Sequence, residues 1–131
     1  MIAECILVAF SGQVQNILER SKIMPSFLVQ ASYTSEALAA LVKNPQNRSE
    51  VVRKSIENLG GKLVGAWMAF GDHDVVFIVD MPDTISAAAM ALSVGAGGAL
   101  KGTKTTLLIS LDKGVEALKK ASSSGYTPVQ K

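Results

Sequence analysis

A segment that is apolar on both sides of an extended chain constrains this fold most. Between His73 and Met81, Val75, Phe77 and Val79 fall on one face of a strand while Val76 and Ile78 fall on the other, because successive side chains of a strand point in opposite directions. A sheet built around such a strand needs cover above and below. The remaining elements decide what supplies that cover.

Upstream, Phe27, Val29, Ala31 and Tyr33 alternate with Leu28, Gln30 and Ser32, a period of two that predicts a strand. Thr34 or Ser35 offers an N-cap for a helix that buries Leu38, Leu41 and Val42 and stops near Asn44 and Pro45. Pro45 predicts the first position of a second helix, with Val52, Ile56 and Leu59 on its inner face. Gly60 and Gly61 end that helix, a strand over 62–70 follows, and Gly71 with Asp72 suits the two central positions of a tight hairpin.

Pro82 closes the return strand, and Asp83 caps a helix carrying Ile85, Ala88, Ala89 and Leu92, whose alanines let it lie close to the sheet. Glycines within 95–98 stop it. A fourth strand is predicted over 103–111, and Asp112 caps a last helix with Val115, Leu118 and Ala121. The order is strand, split helix, strand, strand, helix, strand, helix. That is an α+β chain, a ferredoxin-like antiparallel sheet with helices on one face and an added C-terminal helix. The simplest cover for the bare face is a second copy of the same sheet, giving a homodimer, a dimeric α+β barrel.

This reading places one domain over 24–121 and a tail over 122–131. Residues 1–23 form an N-terminal extension open to two interpretations. Leu7, Phe10, Val14, Ile17 and Leu18 repeat at helical spacing. Alternatively, Glu19, Arg20 and Ser21 can be encoded by a purine-rich run resembling a ribosome-binding site, making Met24 the native start; an intact residue 1 in the mass of the native protein would refute this.

With 131 residues, 48% of them hydrophobic and 18% charged, the chain is excluded from the disordered class. Its net charge is +2, and its basic residues are scattered from Arg20 to Lys131, so no phosphate-tracking stripe exists and no nucleic-acid partner is expected. Cys5 is the only cysteine, too few for an intramolecular disulfide or a cysteine-rich metal cluster. Residues 1–10 carry Glu4 and fall short of the ~20 residues that span a bilayer. A cytoplasmic protein without a membrane association is expected.

The ordered set Ala31-Ser32-Tyr33-Thr34, Lys43-Asn44-Pro45 with Arg48, Gly60-Gly61-Lys62, residues 69–76, Met81-Pro82-Asp83 and Lys104-Thr105-Thr106 resembles the GYD-domain family, small bacterial members of the dimeric α+β barrel group. The resemblance covers roughly Ser26 to Thr127. Of the Gly-Tyr-Asp motif, the glycine matches Gly71 and the aspartate Asp74; His73 stands where the tyrosine usually does, and Asp72 is interposed. The resemblance implies the fold and the dimer but no established activity.

Six residues and one motif are candidates for function. His73, the only histidine, sits between Asp72 and Asp74; with Asp74 it can serve as a catalytic acid or base, or as an axial haem ligand, against the ordinary reading of a solvated turn. Arg48 shares the inner face of its helix and can meet an anionic ligand, against a structural ion pair with Asp74 or Asp80. Trp67 can wall a cavity, against core or dimer interface. Tyr33 and Lys104 are ligand-binding candidates of the same type. No metal-ligand cluster is legible.

Two functions fit these residues. One is a homodimeric module whose barrel interior binds a small apolar molecule, with no cofactor. The other is a cofactor-independent oxygenase or isomerase, or a haem-handling enzyme, for which His73, Asp74, Arg48 and Trp67 must converge on one cavity.

Overall fold

The alternation from Phe27 to Tyr33 forms β1 (Ser26–Tyr33), the first element of a computed structural model that describes residues 24–131 and, before them, Gly12 alone. Both interpretations of residues 1–23 lie outside the described residues. Thr34 caps α1 (Ser35–Lys43) by accepting the Ala37 N–H at 3.1 Å. The next helix, α2 (Ser49–Asn58), begins later than Pro45 predicts. The Asn47 side chain accepts the Ser49 N–H at 2.9 Å and holds residues 44–48 as a connection, so Arg48 becomes the N-cap position.

Gly60 and Gly61 close α2 in a Schellman turn. Gly60, at φ 82°, donates to the Glu57 carbonyl and Gly61 to that of Ile56, both at 2.9 Å, so two orphan carbonyls are satisfied where a left-handed residue costs glycine little. From there β2 (Lys62–Met68) runs to a connection over 69–74, and β3 (Val75–Asp80) returns. This connection is wider than the tight hairpin expected at Gly71 and Asp72. Asp74 donates its N–H to Ala31 and accepts that of Ala69, both at 2.9 Å, so backbone pairing across three segments sets the loop.

Asp83 caps α3 (Thr84–Ala96) by accepting the Ser86 N–H at 2.7 Å. That bond, with the Ser86 hydroxyl, holds its carboxyl below the usual carboxylate range. The fourth strand, β4 (Leu100–Leu108), starts earlier than predicted because it pairs with β1 along its length, from Ser26 against Leu108 to Tyr33 against Leu100. Ser110, not Asp112, then caps α4 (Leu111–Ala121), accepting the Lys113 N–H at 3.3 Å.

The antiparallel sheet has the order β2-β3-β1-β4, the ferredoxin-like arrangement, with α4 added at the C-terminal end. Its helix face carries Phe27, Leu63, Val79 and Met81, which form the core with Ile56 of α2; Val52, Leu59, Ala87 and Met90 pack on this cluster from the helices. All helical members of the core thus sit on one side. The other face presents Leu28, Val76 and Ile78, each partly exposed, with Trp67 54% exposed. The apolar stripe of α4 is also bare: Leu111 is 91% and Leu118 73% exposed. No helix among the described residues is long and apolar enough to cross a membrane.

Candidate functional site

The alanines of α3 were expected to bring it down onto the sheet. Ala87 and Met90 of α3 do pack on the core cluster, but no residue of the helix is fully buried, and volume remains between it, α2 and the helix face. The result is a chamber of about 350 Å³, with walls that include Val29, Val52, Phe77, Met90, Ala91 and Val94. Its few polar groups include the side chains of Tyr33, Arg48, Ser55 and Ser93. This cavity lies between the sheet and its own helices, not on the bare face where a barrel interior would form.

An outer groove of about 940 Å³ adjoins the chamber, bounded by Leu38, Leu41 and Val42 of α1, the connection before α2, and Met68 of β2. Tyr33, Arg48, Val52, Val75 and Phe77 line both spaces and mark their junction. Arg48 is exposed there, and its Nη1 donates to the Gln46 side-chain oxygen at 3.2 Å. The expected ion pair with Asp74 or Asp80 does not form. Asp80 accepts the Ser26 hydroxyl at 2.5 Å, and the one ion pair among the described residues joins Arg53 to Glu50 at 3.2 Å.

Asp74 has a backbone role. The β1–β3 ladder ends at Ala31 against Val75, and the Asp74 carboxylate accepts the next free donor, the Tyr33 N–H, at 2.8 Å. The motif aspartate therefore fixes the end of β1, and with it Tyr33 at the chamber rim. His73 places Nδ1 3.5 Å from the Ser32 hydroxyl, which itself donates to the Asp72 carbonyl at 3.0 Å. Neither His73 nor Asp74 lines the chamber or the groove.

Trp67 lines the groove only. The register sets it opposite Val76, on the bare face. Its indole lies along its own strand over Gly65, where an added Cβ would come within 2.5 Å of the ring; glycine is the residue that lets the ring lie flat. Lys104 is exposed on β4 opposite Gln30, also on the bare face. The structure thus brings Tyr33 and Arg48 together, with Trp67 at the groove, and sends His73, Asp74 and Lys104 elsewhere. Val52, Met90, Ala91 and Val94 were not singled out as site residues, because apolar helix positions read as filled core; the shortage of bulky residues along α3 was the available signal.

No group of three or more His, Cys, Asp or Glu among the described residues is placed to hold a metal ion. The GYD-domain family model matches residues 27–118. A Thermus thermophilus protein named glutamine synthetase and cystathionine beta-lyase binding protein is 30% identical over 78 residues, 60% of this chain and 82% of that protein. Among solved structures, one of a Thermus thermophilus protein superposes with a TM-score of 0.46 at 15% identity, over 66% of this chain and 95% of its own. That of MtbAldR superposes with a TM-score of 0.49 at 13% identity, over 76% and 69%.

Proposed function

The chain belongs to the GYD-domain family, and from that premise we propose that residues 24–121 form a homodimeric binding module that holds a small, largely apolar molecule in the chamber and presents its surface to protein partners. The chamber carries this reading. At about 350 Å³ it falls at the small end of the range of about 300–1,000 Å³ usual for ligand pockets. Its mostly hydrocarbon walls lack contact atoms on their inner side, so an apolar guest gains dispersion there that water does not supply.

The dimer is supported by what the single chain leaves bare. Leu28, Trp67, Val76 and Ile78 face away from the helices, and Leu111, Val115 and Leu118 of the α4 stripe are exposed. The sheet edges discourage the alternative of strand addition: β2 carries a bulge between Leu63 and Gly65, and β4 carries Lys101 and Lys104. A second copy is therefore met face to face. The Thermus relative is named for binding two enzymes, which supports protein partners for this module too. Catalysis by His73 and Asp74 gains no support, since their side chains are engaged away from the chamber.

Thermal melting with decanol tests the reading. Saturating decanol is expected to raise the melting temperature of the wild-type protein by about 5–10 °C, the scale of a bound guest in a domain of this size. Ala91→Phe, which places a ring in the chamber, is expected to abolish the rise. No rise in the wild type, or the same rise in the variant, would overturn the proposal.

A further inference from the structure

We infer that the chamber's ligand is an apolar-tailed monocarboxylate whose head is held by Arg48 at the junction of chamber and groove. This rests on the reading of the chamber as a binding site and adds the chemical class of what it takes. Among the described residues lining either space, Arg48 is the only charged one, and it is common to both. No acidic side chain among the described residues shares the linings. An anion there meets a cation and no repulsion.

The guanidinium is also underused. Its one hydrogen-bond partner among the described residues is the neutral amide oxygen of Gln46, at 3.2 Å, which takes a single donor of the five an arginine offers. Glu50, the nearest acid in sequence, places its carboxylate on Arg53 at 3.2 Å and so does not neutralise Arg48. As the N-cap position of α2, Arg48 sits where the helix dipole adds positive potential. Tyr33, with its phenolic hydroxyl, stands at the same junction, and Asp74 fixes its backbone.

The charge count selects the head group. A planar guanidinium matches a carboxylate with two parallel hydrogen bonds. A phosphate brings a second negative charge, and among the described residues the linings contain no lysine or second arginine to meet it. The tail follows from the walls: hydrocarbon from both helices and the sheet surrounds the space beyond Arg48. The same tail on a neutral head group would fill the chamber but leave the cation solvated.

Isothermal titration with decanoate and decanol, at neutral pH and low salt, separates these terms. Wild-type protein is expected to bind decanoate about tenfold more tightly than decanol, the scale of one charge-assisted pair at a partly exposed site, and the gap is expected to narrow as salt is raised. Arg48→Met is expected to lose the tenfold preference, so that decanoate and decanol bind it with similar affinities. Equal affinities in the wild type, or unchanged decanoate binding in Arg48→Met, would overturn the inference while leaving the chamber as an apolar site. Failure of both probes to bind would overturn the chamber reading and this inference together.

Discussion

Ile78→Asp is expected to leave a folded monomer, and the wild-type protein is expected to sediment as a dimer. Ile78 lies on β3, an interior strand, on the bare face, with Leu28 and Gly65 as its register neighbours. It therefore sits near the middle of the surface that the proposed second copy would meet. Two-fold symmetry places two introduced carboxylates in one interface. Burying an unpaired ion costs several kcal/mol, so the dimer dissociation constant is expected to rise by at least about 10³-fold. The fold itself should tolerate the change, because in a single chain this side chain is partly exposed and the core lies on the other face. A variant that still sediments as a dimer would contradict the face-to-face assembly.

Asp74→Ala is expected to lower stability to urea by about 1–3 kcal/mol, the cost of leaving a partly buried N–H without its acceptor. The bond lost is the 2.8 Å contact from Tyr33 N–H to the Asp74 carboxylate. Asp74→Asn keeps an acceptor oxygen but no charge, so a smaller loss is expected. Because Tyr33 lines the chamber, the alanine variant should also weaken decanol binding. A side chain kept for acid or base chemistry would behave otherwise: its removal would leave stability at the wild-type value. That result would reopen the catalytic reading of the motif.

Much of the architecture was legible because its signals are local. Thr34 and Asp83 cap the helices they precede, Gly60 and Gly61 end α2, and the alternation from Phe27 to Tyr33 forms an interior strand. The expectations that shifted were those settled by distant partners. Register with β1 draws the start of β4 to Leu100 and leaves Ser110 free to cap α4. Asn47, not Pro45, fixes the start of α2.

The site was legible in part, for a comparable reason. Arg48 and Tyr33 stood out as a charge and a phenol beside apolar runs, and the structure sets them at one junction. Whether Asp74 met solvent, a ligand or a backbone donor depended on Tyr33, 41 residues away in the chain, which spacing does not reveal. The chamber was invisible for a different reason: its walls have the composition of core, and only their arrangement in space makes them the boundary of a cavity.

Xenon-pressurised crystals would examine that space directly, since dry apolar cavities take up the gas. Anomalous density enclosed by Val52, Phe77, Met90 and Ala91 is the predicted result. Helices collapsed onto the sheet, with no xenon between them, would contradict the account.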